Sequence, residues 1–230
     1  MVENHAGLRL YIDSVDSQDW ADYLPTGLFY GVTTNPKLLA GKGCDFEVNK
    51  LAALAESAFD LGVQEIHLQV WGSSDQDLLA VGRELGQIDD RVSVKVPITP
   101  AGIRCASQLK NEGIRVTLTA LHAAEQALIA AALGADYAAP YLGRMNDGGL
   151  NGLEEIIRMG QILNNLQSPV RLLIASIRQI EELVILAEKG LTTFTLLPAL
   201  IEELLENELT RLAADSFQEA VMDSNITDAN

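Results

Sequence analysis

Cysteine is almost missing from this chain. The two present, Cys44 and Cys105, stand far apart and outside any CxxC pattern, so neither a disulfide framework nor a structural zinc site is expected. Histidine is nearly as scarce. His5, His67 and His122 have no ligand-like spacing, and no catalytic metal is expected either. Basic residues are outnumbered: 16 Lys and Arg face 32 Asp and Glu, for a formal net charge of −16. Such a surface repels nucleic acid and anionic membrane, and an anionic substrate would need a local cluster of positive groups. No apolar run approaches the ~18 residues of a membrane span. The opening MVENHAG has no apolar core of the kind a secretory signal carries. These absences lead us to expect a cytoplasmic protein in a reducing setting.

What is present is apolar and regularly spaced. Hydrophobic residues make up 48% of the 230 positions, enough for a sizeable core. Short apolar runs at 8–13, 29–34, 64–70, 91–96, 114–119, 136–141, 171–176 and 192–196 read as strands. Helical patterns at 46–61, 74–87, 101–112, 122–133, 151–165 and 179–189 lie between them, with shorter ones after the first two strands. Alternation of this kind predicts a (β/α)8 barrel. The rival, a doubly wound open sheet, usually carries a glycine-rich fingerprint after its first strand, and none is found. Residues 199–222 read as an additional C-terminal helix with a Leu205, Leu209, Leu212, Phe217, Val221 stripe, able to pack on its own barrel or on a neighbour. The expected organisation is one barrel over 1–222 and a polar tail over 223–230.

Strand alternation then sorts the polar residues. Val92, Val94 and Val96 share one face, which leaves Ser93 and Lys95 on the other. If the valines face the helices, Lys95 points into the barrel at its C-terminal end, where active sites of this fold lie. Lost hydration disfavours a lysine's charge, and an uncharged amine can attack a ketone. The strand alone leaves open a lysine that snorkels its ammonium out of the mouth. The same alternation turns Asp13, Gln69 and Thr119 inward, with Tyr141 and Ser176 at the ends of strands six and seven. Buried polar groups without partners are costly, so such a convergence predicts a site. Arg144 and Arg178 follow strands six and seven on what read as loops, where guanidinium groups suit a phosphate.

Five segments in order, GVTTNP (31–36), VSVKVPITPAGI (92–103), VTLTA (116–120), APYLGRM (139–145) and IASIR (174–178), resemble the successive blocks of the transaldolase family. The likeness is greatest to its short-chain branch, which includes fructose-6-phosphate aldolase, and runs from about residue 8 to about 200. The resemblance implies a cofactor-free Schiff-base mechanism on a sugar phosphate. By it, Lys95 matches the imine-forming lysine and Asp13 the carboxylate that assists proton transfer. Thr33, Asn35 and Ser176 match substrate contacts, Thr119 a residue holding the catalytic water, and Arg144 and Arg178 the phosphate-binding arginines. It also implies a homo-oligomeric ring, typically a decamer, in which the last helix reaches a neighbour.

Two activities diverge from the shared enamine. A transaldolase passes the three-carbon unit to a second aldose phosphate, as between sedoheptulose 7-phosphate and glyceraldehyde 3-phosphate or fructose 6-phosphate and erythrose 4-phosphate in the pentose phosphate pathway. An aldolase protonates the enamine and releases dihydroxyacetone. A glutamate on strand three and a phenylalanine ending strand six mark the classical transaldolases of the family. This chain has Gln69 and Tyr141 there, which leads us to expect the aldolase. Three features depart from the aldolase pattern: Arg178 where a lysine is usual, the transaldolase-like VTLTA, and His67 in place of an aromatic residue. A barrel that binds sugar phosphate without catalysis is the remaining alternative, and it would have no need of the Lys95–Asp13 pairing.

Overall fold

The computed structural model describes residues 7–227. Each strand is followed by one or two helices: β1 (Arg9–Asp13), α1 (Ser17–Tyr23), β2 (Phe29–Thr33), α2 (Pro36–Gly41), α3 (Val48–Asp60), β3 (Glu65–Gln69), α4 (Asp75–Gly86), β4 (Val92–Pro97), α5 (Pro100–Asn111), β5 (Val116–Leu121), α6 (Gln126–Leu133), β6 (Tyr137–Pro140), α7 (Leu142–Asp147), α8 (Gly152–Asn165), β7 (Arg171–Leu172), α9 (Ile180–Glu188), β8 (Thr193–Leu196), α10 (Pro198–Leu205) and α11 (Glu208–Thr227). All strand pairings are parallel, in the order β7-β6-β5-β4-β3-β2-β1-β8. Ile174 closes the ring: its N–H donates to Thr193 O at 2.9 Å, and its carbonyl accepts from Thr195 N–H at 2.9 Å. The result is a (β/α)8 barrel with additional helix at its C-terminus.

Three expectations need correction. Regular β7 is shorter than the run 171–176. Beyond Leu172 the chain stays extended and bonds to both neighbours in turn, with Leu173 N–H to Ala138 O and Ala175 N–H to Pro140 O on the β6 side. Residues 142–147 form a helix, α7, because Leu142 and Met145 bury themselves beneath it. The C-terminal stretch is two helices. Glu206 is extended (φ −98°, ψ 128°), and Asn207 restarts the chain by accepting Thr210 N–H on its side-chain oxygen at 3.1 Å, as a helix N-cap does. The second helix runs on to Thr227, into the segment read as a polar tail; residues 228–230 lie outside those described.

The sheet separates two cores. Between strands and helices lie Ile66, Leu68, Val92, Val94, Val96, Val116 and Leu118, all buried. Each such side chain stabilises the fold by about 1.5–3 kcal/mol relative to exposure. Inside the barrel a smaller cluster holds Tyr11, Tyr137, Ala139 and Leu173. The connection after β4 is tight. Thr99 caps α5, accepting Gly102 N–H at 3.1 Å, and a Cβ on Gly102 would lie 1.9 Å from Pro97 O. Only glycine lets the helix start sit directly on the strand that carries Lys95.

A polar layer fills the barrel toward its N-terminal end. Glu65 is fully buried and takes hydrogen bonds from Tyr11 Oη (2.8 Å), His67 Nε2 (2.7 Å) and Arg115. Because His67 Nε2 donates, its Nδ1 accepts, from Thr117 Oγ1 at 2.9 Å, and Ser93 Oγ donates to Thr117 Oγ1 at 2.7 Å. Arg9 donates to Tyr137 Oη, which lies 3.1 Å from Tyr11 Oη. Burial alone would push the Glu65 carboxyl up, but His67, Arg115 and Tyr11 hold it down at about 2. Burial outweighs Glu65 at His67 and lowers its imidazole below the ordinary value, keeping it neutral. Tyr137 is pushed up to about 12, first by burial and then by Glu65.

Candidate active site

The polar layer gives way to a cavity of about 430 Å³ at the C-terminal mouth. Asp13 comes from the end of β1, Gln69 from β3, Lys95 and Pro97 from β4, and Thr119 from β5. Tyr141 follows β6, Ala175 and Ser176 follow β7, and Thr195 comes from β8. Asn35 and Arg144 complete the rim from α2 and α7, with Lys37 beside Asn35. Strand alternation thus brings together Asp13, Gln69, Lys95 and Thr119 as expected.

Lys95 is 3% exposed and does not snorkel out of the mouth. Its Nζ donates to the carbonyl of Thr34 at 2.8 Å, which holds the amine inside the cavity. Asp13 also reaches the cavity. Burial pushes its carboxyl above the ordinary carboxylate range, with Lys95 and the Thr33 hydroxyl pulling it partly back. A carboxyl so raised can hold and release a proton nearer neutral pH, as a general acid–base must.

Thr33 does not line the cavity. It lies fully buried behind Asp13 and donates to Asp13 Oδ1 at 2.8 Å. A hydroxyl has one proton, so its 2.5 Å contact with Thr195 Oγ1 is a bond donated by Thr195. The relay Thr195 to Thr33 to Asp13 orients the carboxyl. Thr195 went unrecognised in the sequence, although alternation along 192–196 places it on the inward face.

Asn35 works in two directions. Its side-chain oxygen caps α2, accepting Lys37 N–H at 3.0 Å and Leu38 N–H at 3.1 Å. That leaves the amide nitrogen for a ligand hydroxyl. Across the cavity, Tyr141 Oη and Thr119 Oγ1 are 2.8 Å apart. The Tyr141 ring meets His122 edge-on at 5.8 Å, and His122 is fixed by donating Nδ1–H to Ala120 O at 2.8 Å. Ala120 (φ 63°) and Ser176 (φ 59°) both take left-handed backbone and both line the cavity. Each such residue costs on the order of 1–3 kcal/mol, a strain that gathers at functional sites.

The two arginines are placed differently. Arg144 reaches the cavity, while Arg178 does not line it. Arg178 lies against Gly143, where a Cβ would come within 2.6 Å of its Nε. Its guanidinium makes a two-pronged pair with Asp147, Nη1 to Oδ1 at 2.8 Å and Nη2 to Oδ2 at 2.6 Å. Asp147 is the last residue of α7, and that helix turns it toward both arginines.

A barrel mouth that holds a buried lysine amine, a carboxyl and a nearby guanidinium has the make-up of Schiff-base aldolases and transferases acting on sugar phosphates. The family model for transaldolase/fructose-6-phosphate aldolase matches residues 10–229. Among relatives, the probable transaldolase of Hyphomonas neptunium is 34% identical over 212 residues, covering 91% of this chain and 95% of its own length. That of Rhodospirillum centenum is 34% identical, covering 91% and 89%, and that of Caldicellulosiruptor saccharolyticus 31%, covering 91% and 95%. The chain belongs to the transaldolase/fructose-6-phosphate aldolase family. It is an enzyme of carbohydrate metabolism of the Schiff-base aldolase or transferase kind. Among the described residues, no helix is long and apolar enough to cross a membrane.

Proposed function

We propose that this enzyme is a transaldolase, moving a dihydroxyacetone unit between sugar phosphates through an enamine on Lys95. The observation that carries the reading is the Lys95 amine, 3% exposed yet facing a cavity shared with Asp13. Neutral Nζ attacks the ketose C2 carbonyl. The resulting carbinolamine loses water, with Asp13 supplying the proton to the departing hydroxyl. The protonated imine then draws the electrons of the C3–C4 bond as a base removes the C4 hydroxyl proton, and the aldose phosphate leaves. Attack of the enamine carbon on a second aldehyde, followed by imine hydrolysis, completes the transfer. Asn35 and Ser176 hold substrate hydroxyls, Gln69 and Thr119 hold the water, and Arg144 and Arg178 take the phosphate. The names of the three relatives above, each a probable transaldolase, support transfer over the aldolase expected from Gln69 and Tyr141.

The second reading is aldolase chemistry, and the Tyr141–Thr119 hydrogen bond favours it. A hydroxyl pair at the mouth can hold a water and deliver a proton to the enamine. Borohydride with fructose 6-phosphate should inactivate the protein and leave a stable adduct on Lys95; an adduct on another lysine would refute the mechanism. Paired assays then separate the readings: three-carbon transfer to erythrose 4-phosphate against release of dihydroxyacetone. We also infer a ring-shaped homo-oligomer in the cytoplasm. Leu209 is 77% and Phe217 72% exposed on α11, an apolar surface suited to burial against another copy.

A further inference from the structure

We propose that Asp147 is a specificity-determining residue, an internal anion that holds the two arginines and lowers the enzyme's affinity for a substrate phosphate, which has to displace it. The inference rests on the reading of Arg144 and Arg178 as the phosphate site. Both oxygens of Asp147 engage Arg178, and Oδ2 also stands 3.7 Å from Arg144 Nη1. A carboxylate spanning both terminal nitrogens of a guanidinium uses the same fork that a phosphate uses. The occupant and the ligand therefore compete for one set of donors.

Among the described residues, the groups that favour a carboxylate at this place are the two arginines. Asp147 is the last residue of α7, where exposed carbonyls oppose a negative charge. The arginines offset that cost and hold the Asp147 carboxyl below its ordinary range. Glu182, the other acid nearby, is engaged elsewhere. Its Oε2 accepts the backbone N–H of Arg178 at 2.9 Å and its Oε1 accepts Asn146 Nδ2 at 3.3 Å. Arg178 has a second support, since its guanidinium lies against the bare backbone of Gly143. Loss of Asp147 would leave that support in place and free its donors for a ligand. A phosphate monoester carries more charge than the single carboxylate, about −1.5 to −2 at neutral pH, and so can displace it.

The test compares the wild-type enzyme with Asp147→Asn, which keeps size and removes charge, and with Arg144→Ala. Calorimetry measures binding of inorganic phosphate, and kinetics measure KM for glyceraldehyde 3-phosphate and for glyceraldehyde as acceptors. Asp147→Asn should tighten phosphate binding and lower the KM for glyceraldehyde 3-phosphate, each by about twofold to fivefold, as suits exposed ion pairs. The ratio of the glyceraldehyde KM to the glyceraldehyde 3-phosphate KM should rise by a similar factor, and less at high salt. Arg144→Ala should weaken phosphate binding. If it does so while Asp147→Asn leaves binding unchanged or weaker, Asp147 is not a competitor and this proposal fails alone. If Arg144→Ala leaves phosphate binding intact, the phosphate site itself is misassigned and both readings fall.

Discussion

Replacing Tyr141 by phenylalanine removes one oxygen and little else. The ring keeps its edge-on contact with His122, which stays fixed by its bond to Ala120 O. The hydrogen bond to Thr119 is lost, a partly buried neutral contact worth about 0.5–1.5 kcal/mol, so the fold should survive. Its catalytic weight is another matter. If the hydroxyl positions the water or proton that quenches the enamine, losing that interaction in the transition state should slow dihydroxyacetone release by roughly tenfold to a hundredfold, at ~1.4 kcal/mol per decade. Transfer to erythrose 4-phosphate needs no enamine protonation and should hold or rise. The assay follows both products from fructose 6-phosphate with and without acceptor, in Tyr141→Phe and in Thr119→Val. Thr119→Val breaks the same hydrogen bond from the other side and should shift the partition in the same direction. Equal loss of both activities in Tyr141→Phe, or no change in either, would show that the hydroxyl does not set the partition.

Two further outcomes are expected. Glu65→Gln should destabilise the barrel by about 3 kcal/mol, toward the low end for a broken buried ion pair because Arg115 is 33% exposed. Since folding holds Glu65 at about 2, below its ordinary 4.5, its contribution is full above pH 4.5 and is lost as pH falls toward 2. Denaturant titrations across that window should therefore show a steeper acid loss in the wild type than in Glu65→Gln, and parallel curves would refute the assignment. Truncation after Leu205, which removes α11, should convert an oligomer to smaller species in light scattering; a full-length chain that scatters as a monomer at micromolar concentration would refute the assembly.

Local periodicity carried much of what was legible in the sequence. The two-residue repeat of a strand depends on the backbone alone, so Val92, Val94 and Val96 identify the outer face of their strand and place Lys95 inside, and the same repeat on three other strands places Asp13, Gln69 and Thr119 without knowledge of any neighbour. The barrel followed from the regular alternation of strand and helix, and the blocks around Lys95 and Arg144 carried the family. Even Asn207 is a visible N-cap that breaks the last helical stretch, though the leucine stripe concealed it. What the sequence did not reveal is pairing across distance. Thr33 meets Asp13 and Thr195 from two other strands, Glu65 meets Arg115 and Tyr11 across the barrel, and Asp147 meets Arg178 from the next loop. No local pattern encodes such contacts, because they arise only when the ring closes and strand ends remote in the chain meet at one axis. The inward faces were therefore determined residue by residue along each strand, whereas tertiary closure decided which polar group orients Asp13, which cation reaches the cavity and which acid stands in its way.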